Sequence, residues 1–312
     1  MERCLVTGGA GFIGSHLVES LLKQGHGVRV LDNFETGSRS NLAEWQKDIE
    51  IVAGSVEDVD TVNRVVRGID WIFHEAARVS VPQSIEDPAG AHSVNSTGTL
   101  NILLGARNSG VKRVVCASSC AIYGNTPELP KREDMLPSPQ SPYAVTKLAL
   151  EHYCNMFFNL YNLEAVSLRY FNIFGPRQNP LAQYAAVIPI FVRNMLQQKP
   201  SIIYGDGEQT RDFVFVQDCV NANLLAAKSL QAPGNVYNIG SANQISVNEL
   251  YALLQKITGS EMPAVHELAR PGEVLHSCSE TSRARKHLNF QPEFDLEKGL
   301  ELTVDWYRRN SG

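Results

Sequence analysis

A chain of 312 residues that is 43% apolar can bury a large core, and its length suits one main domain carrying a smaller second lobe. Its formal charge of -5 and the lack of a basic stripe argue against nucleic acid, and no apolar stretch reaches the length of a membrane span. The six cysteines, at positions 4, 116, 120, 154, 219 and 278, form no Cys-x-x-Cys pair, so reduced core thiols in a cytoplasmic compartment are expected, with no metal site.

Residues 4–6 predict a short buried strand, and its early start leaves no room for a secretory leader. The strand runs into Gly8-Gly9-Ala10-Gly11-Phe12-Ile13-Gly14, and residues 12–24 predict a helix. Two glycine spacings coincide here. Gly9-x-Gly11-x-x-Gly14 has the general dinucleotide-binding form, and Gly8-x-x-Gly11-x-x-Gly14 has the short-chain dehydrogenase form. Glycine permits the tight turn and close approach to a pyrophosphate, while the helix amino terminus offers free N–H groups to the anion. A second strand, residues 28–31, ends in Asp32, 18 positions beyond Gly14. A carboxylate there accepts from ribose hydroxyls and repels a 2′-phosphate, which favours NAD over NADP. Arg39 is the one nearby residue that argues the other way.

Further strands are predicted at 49–52, 71–74, 114–118 and 165–169, alternating with helices such as 95–109 and 142–159. That alternation implies an α/β fold, a Rossmann-type doubly wound parallel sheet with ligands at the carboxyl ends of its strands. Residues 1–173 read as the NAD-binding domain. Residues 174–312 read mainly as a smaller α/β substrate-binding lobe, with helices near 188–197, 247–258 and 296–308. The strand-like segments 213–216 and 236–239 are expected to return to the first domain.

Tyr143-Ala-Val-Thr-Lys147 falls on the helix predicted at 142–159, where residues four apart share a face. Lys147 is therefore expected beneath the Tyr143 hydroxyl, favouring its phenolate. A free tyrosine ionises near ~10, and bringing it to about 7 takes roughly 4 kcal/mol at ~1.36 kcal/mol per unit. Joined to a dinucleotide turn, the pair indicates a redox enzyme.

Over essentially its whole length the chain resembles the extended short-chain dehydrogenase/reductase superfamily, and within it the NAD-dependent sugar-nucleotide 4-epimerases. The marks are Thr7-Gly-Gly-Ala-Gly-Phe-Ile-Gly14, Leu31-Asp-Asn33, His74-Glu-Ala-Ala77, Ser118-Ser119 with Tyr123-Gly124, Ser141-Pro-Tyr143 through Lys147, Arg169-Tyr-Phe-Asn172, Gly205-Asp-Gly207 through Arg211-Asp212, and Arg270-Pro-Gly-Glu273. The resemblance implies cofactor contacts from Gly8, Gly11, Phe12, Ile13, Gly14, Asp32, Asn33, Gly37, Ser38, Ser55, Val56, Ala76, Ala77, Asn95, Ala117, Ser118, Tyr143, Lys147 and Tyr170. Ser55 is a departure, since the family often places an aspartate there against the adenine.

The implied catalytic residues are Ser119, Tyr143 and Lys147. Tyr143 takes the proton of a sugar C4 hydroxyl as the C4 hydride leaves, Ser119 bonds the C4 oxygen and relays the proton, and Lys147 lowers the Tyr143 pKa and holds the nicotinamide ribose. Guanidinium groups pair donors onto phosphate oxygens, so Arg211 and Arg270 are candidates for anchoring a UDP-sugar diphosphate. Asn172 would reach a phosphate or sugar oxygen and Glu273 a nucleotide ribose. Val187, Ile188 and Tyr204 would wall the uracil, and Ser80 and Ser277 complete the implied substrate set. His74 reads as a structural histidine.

Related 4,6-dehydratases carry an Asp-Glu pair where this chain has Cys120-Ala121, and related decarboxylases a Glu at the second position. Neither residue here can expel a C6 hydroxyl or take a C5 proton, so C4 epimerisation is expected. Alternatives are a uronic acid 4-epimerase, which would want a further cation facing C6, and a non-catalytic dinucleotide sensor. The resemblance also implies a homodimer through a four-helix interface, with Leu100, Leu103, Leu104, Tyr153 and Phe157 as contacts. Ser277 stands where hexose-restricted epimerases carry tyrosine, which leaves room for an N-acetyl group.

Overall fold

The computed structural model describes residues 1–180, 186–269 and 274–310. Its strands are β1 (Arg3–Thr7), β2 (Gly27–Asp32), β3 (Ile49–Ala53), β4 (Trp71–His74), β5 (Arg113–Ser119), β6 (Glu164–Tyr170), β7 (Asn172–Phe174), β8 (Ser201–Tyr204), β9 (Thr210–Arg211), β10 (Phe213–Phe215), β11 (Val236–Ile239), β12 (Ile245–Ser246) and β13 (Ala264–Glu267). The helices are α1 (Phe12–Lys23), α2 (Val59–Val65), α3 (Val81–Glu86), α4 (Pro88–His92), α5 (Gly98–Ser109), α6 (Pro142–Tyr161), α7 (Val187–Leu196), α8 (Val216–Lys228), α9 (Val247–Thr258), α10 (Ser282–Leu288) and α11 (Leu296–Asn310).

Seven strands form a wholly parallel sheet in the order β3-β2-β1-β4-β5-β6-β11. The central strands are buried on both faces, which is why β1, β4 and β5 read as continuous apolar runs rather than alternating ones. Strand order reverses between β1 and β4, and the crevice at that switch is where a doubly wound sheet holds its ligand. One face is covered by α1 and α8 through Leu17, Val18, Leu21 and Val220. The other is covered by α2, α5 and α6 through Val62, Ile102, Leu103, Leu150 and Phe157. A separate core, built on Phe191, Phe215, Leu250, Leu254, Leu300 and Val304, holds the second lobe.

Three local features depart from expectation. The helix predicted at 95–109 continues from Pro88 through a π turn at Ser93–Thr97, so Asn95 sits in a widened turn rather than at a helix start. Segment 213–216 does not join the main sheet, because β10 pairs with β7 in a two-stranded sheet of its own, while β11 pairs with β6 at the main edge. Leu103 is 0% and Phe157 1% exposed within the single chain, so both are core residues and neither can contact a second subunit.

The helix bearing Tyr143 and Lys147 is fixed by its two ends and by a buried ion pair. Ser141 caps α6 by accepting from the Ala144 N–H, Pro142 occupies its first turn, and Asn162 closes it in the left-handed conformation at φ 54°. Glu151, one turn past Lys147, takes Nε and Nη2 of Arg169 on β6 at 2.8 Å each. The same carboxylate accepts from Ser118 Oγ at 2.6 Å, and Arg169 Nη1 donates to the Tyr123 hydroxyl at 2.7 Å. Tyr123 in turn donates to Asn238 of β11 at 2.7 Å. Every charge in this network is satisfied, and removing one partner would strand the other. Replacing Glu151 with Ala should lower stability by about 3–5 kcal/mol in urea denaturation. A loss under about 1 kcal/mol would mean that the guanidinium is not held by this pair.

Candidate active site

The turn after β1 is too tight for side chains. A Cβ on Gly14 would lie 2.2 Å from the Gly8 carbonyl oxygen, and Gly8 itself stands at φ +68° against the backbone of Ala76. No side chain caps the amino terminus of α1, so its first turn faces the crevice with backbone N–H groups unclaimed by a cap. Asp32 closes the other side. Its Oδ2 accepts from the Ala10 N–H at 2.9 Å and its Oδ1 from the Phe34 N–H at 2.8 Å, leaving each oxygen a further lone pair for a ribose hydroxyl. Gly37 passes so near Ala10 that a Cβ would meet its carbonyl carbon at 2.9 Å, and the Ser38 N–H bonds the Ala10 carbonyl. Arg39 lies over the Phe34 ring at 4.1 Å. A glycine cradle, an uncapped helix start and a carboxylate at the end of β2 fit a dinucleotide.

On the adenine side, Ser55 Oγ donates to Glu57 Oε2 at 3.0 Å, and Asn33 Oδ1 accepts from the Glu35 N–H. Val56 is 4% exposed and packs in the core, so only its backbone is available to a cofactor. The Ser118 hydroxyl likewise turns inward to Glu151, so only its backbone is available to a cofactor.

Tyr143, Lys147 and Ser119 converge at the carboxyl end of β5. Lys147 Nζ stands 5.8 Å from the Tyr143 ring centre and donates to the Ala117 carbonyl at 2.7 Å. Burial weakens its hold on a proton, bringing its pKa to about 8. Burial also pushes Tyr143 up to about 12, against a lowering hydrogen bond with Ser119. Desolvation of the phenolate is the largest influence on Tyr143, so the depression expected from Lys147 has to work against it.

Around this pair the crevice is held by side-chain hydrogen bonds. Asn95 donates to the Arg78 carbonyl and to Thr146 Oγ1 at 3.0 Å each, and accepts from the Arg78 N–H at 2.8 Å. Thr146 donates to the Tyr143 carbonyl, and the Tyr143 N–H reaches Ser84 Oγ. Ala76 and Ala77 follow β4, and Ser80 caps α3. His74 is bonded at both ring nitrogens, to Thr7 and Thr99, and burial takes its pKa down to about 3, which leaves it neutral and structural. Two residues to which sequence reasoning gave no role stand here: Glu75 accepts from the Tyr170 hydroxyl at 2.8 Å, and Asn223 Nδ2 donates to that hydroxyl at 2.7 Å. Glu75 was visible inside His74-Glu-Ala-Ala77, whereas nothing local marks Asn223, which arrives from α8.

From the second lobe, Asn172 Nδ2 bonds the Asp212 carbonyl at 3.1 Å and lies 3.5 Å from Ser277 Oγ. Arg211 Nη1 donates to the Thr210 and Leu275 carbonyls at 2.9 and 3.1 Å. The carboxylate of its neighbour Asp212 is taken up by Ser241 and Ser279. Val187 is half-buried, as is Tyr204, but Ile188 is 1% exposed and points into the lobe's core, so its side chain walls no ligand. Arg270 and Glu273 lie outside the described residues. No group of three potential metal ligands occurs among the described residues, and no described helix is long and apolar enough to cross a membrane.

Comparison with known proteins places this geometry in a family. Residues 4–240 match the model of the NAD dependent epimerase/dehydratase family. The UDP-glucose 4-epimerase of Mycolicibacterium smegmatis is 39% identical over 314 residues, covering 99% of each chain. The crystal structure of UDP-glucose 4-epimerase from Thermotoga maritima, solved with UDP-glucose, superposes with a TM-score of 0.95 at 38% identity, over 99% of this chain and 100% of that one. The UDP-N-acetylglucosamine 4-epimerase of Methanobrevibacter ruminantium, in complex with UDP-N-acetylmuramic acid, gives 0.95 at 35% identity over 99% of both. With a glycine cradle for the dinucleotide and the Tyr143–Lys147 pair beside it, the chain belongs to the NAD-dependent epimerase/dehydratase family.

Proposed function

We propose that this protein is an NAD-dependent UDP-sugar 4-epimerase that inverts C4 of a UDP-hexose through a transient 4-keto sugar, accepting UDP-GlcNAc and UDP-GalNAc as well as UDP-glucose and UDP-galactose. The observation that carries the reading is the meeting of Tyr143, Ser119 and Lys147 at the end of β5, followed by Cys120 and Ala121 rather than an Asp-Glu pair. Burial holds the Cys120 thiol at a pKa of about 12, and Ala121 has no proton to give, so the expulsion of a C6 hydroxyl lacks its acid. Bound NAD supplies the acceptor, and later the donor, of the C4 hydride.

The chain's own residues move the proton. Tyr143 takes it from the C4 hydroxyl, Ser119 hands it between the sugar oxygen and the phenol, and the Lys147 ammonium steadies the phenolate once ligands have displaced water. Residues 1–173, joined by α8 and β11, serve the cofactor, and the remainder chiefly holds the nucleotide sugar. Arg211 and Asn172 face the diphosphate and sugar, with Arg270 and Glu273 assigned to the same anchor by sequence. The protein works as a homodimer through α5 and α6, whose half-buried Leu100, Leu104, Tyr153 and Met156 supply the contact.

Purified protein incubated with each of the four UDP-sugars should yield its C4 epimer on chromatography without net redox change, and no conversion of any would sink the reading. Replacing Tyr143 with Phe should cut turnover by about 10²–10⁴-fold. Near-normal activity in that variant would mean that another group is the base. Ser277→Tyr should suppress turnover of the N-acetylated pair and spare the plain hexoses, since a ring at this 7%-exposed position acts by clash. Equal loss on both pairs would remove Ser277 as the gate. Sedimentation should give a dimer at micromolar concentration, and a monomer alone would refute the assembly.

A further inference from the structure

β2 and β4 lie on either side of β1, so the loops that follow them stand on opposite sides of the glycine turn that follows β1. Each loop touches that turn through backbone. The loop after β4 meets it where a Cβ on Gly8 would lie 2.8 Å from the Ala76 nitrogen, and the loop after β2 where the Ser38 N–H bonds the Ala10 carbonyl at 3.0 Å. A side-chain ion pair then joins the two loops directly. Arg78, after β4, donates from Nη2 to Glu35 Oε1, after β2, at 3.1 Å across 43 positions of sequence. Three loops and one ion pair thus close a ring around the site that fits the dinucleotide.

The two arms of the ring are held unequally. Asn95 fixes the Arg78 backbone by accepting from its N–H at 2.8 Å and donating to its carbonyl at 3.0 Å. Asp87 Oδ2 takes Nη1 at 2.8 Å while its Oδ1 caps α4 at the Gly90 N–H, and a Cβ on Gly90 would overlap both Nη1 and Oδ2. The guanidinium sits in a seat that only glycine leaves open. Its Nε is buried with no hydrogen-bond partner among the described residues, which leaves one donor for an acceptor that a ligand brings. Glu35 has the looser hold, with Asn33 Nδ2 at 3.4 Å from its Oε2.

We propose that the Arg78–Glu35 pair is a clasp on the cofactor crevice, so that NAD enters and leaves when Glu35 lets go while Arg78 stays seated. The clasp rests on the crevice as the NAD site and on the redox-neutral epimerisation proposed above. A reaction that returns its NAD oxidised in every cycle never has to exchange it, so a closed clasp does not slow turnover. Both side chains are partly exposed, which lets the pair open. An exposed pair of this kind slows passage by about two- to fivefold.

Stopped-flow fluorescence of NADH binding and release, with no sugar present, tests this on Glu35→Gln. Association and dissociation should both quicken by about two- to fivefold with Kd nearly unchanged, because a clasp is crossed in both directions. In an Arg78→Gln background, with Arg78→Met in its place if the amide variant does not fold, the Glu35 change should have no further effect, since the pair is already broken. Unchanged rates in Glu35→Gln would overturn the clasp. So would faster release with unchanged association, which is the loss of a ligand contact, or an undiminished effect in the Arg78→Gln background, which would mean that the carboxylate acts without the arginine. Wild-type protein that binds no NADH would overturn the clasp together with the cofactor site, whereas inactivity on every UDP-sugar would overturn the proposed function alone.

Discussion

Everything at the crevice depends on a contact that leaves no room for one carbon atom: the first turn of α1 seated on the Gly8 carbonyl at Gly14. Because the helix starts so close to β1, the turn between them is compressed, and its backbone amides and carbonyls become the fixed points to which other segments tie. Ala10 alone is held by Asp32 through its N–H and by Ser38 and Asn41 through its carbonyl. The loop after β2 is thereby stitched to the loop after β1, and the acidic end of β2 is held at a set distance from the helix amino terminus. A pyrophosphate and a ribose a few bonds apart require such a fixed separation.

A second constraint secures the chemistry on the other side of the sheet. Tyr143 and Lys147 ride on α6, and α6 is locked to β6 and β11 by Glu151, Arg169, Tyr123 and Asn238. An ion pair this deep contributes little net stability compared with an apolar replacement, yet it fixes the rotation of the helix about its axis. Rotation matters here because the phenol must face the crevice while the lysine reaches the Ala117 carbonyl. The network and the catalytic face lie one helical turn apart.

Patterns that act locally were legible in the sequence. The glycine spacing, Asp32 at a strand end and the four-residue step from Tyr143 to Lys147 each follow from backbone geometry over a few residues, and all appear at the carboxyl edge of one parallel sheet. What escaped depends on distant partners. The π turn at Ser93–Thr97 carries no local composition signal, and β10 reads like any apolar strand, although its partner β7 is forty residues away and outside the main sheet. Ser118 and Ser119 are adjacent in sequence, but strand alternation sends the first inward to Glu151 and leaves the second beside Tyr143. The raised pKa of Tyr143 escaped for a similar reason, since burial is a property of the assembled crevice and not of a five-residue motif.

The position of β11 at the sheet edge bears on how the molecule comes into being. This strand lies more than sixty residues after β6, its only neighbour in the main sheet, and the segment between them passes through the second lobe. As the chain leaves the ribosome, six strands emerge in sequence while β6 keeps a bare row of N–H and C=O groups, a surface open to pairing with other nascent chains. β6 gains its second neighbour only when Val236–Ile239 arrives, so α7, α8 and the short strands between must be traversed first. During synthesis the main sheet therefore waits on a strand that follows the second lobe's first segments, and its two lobes mature together.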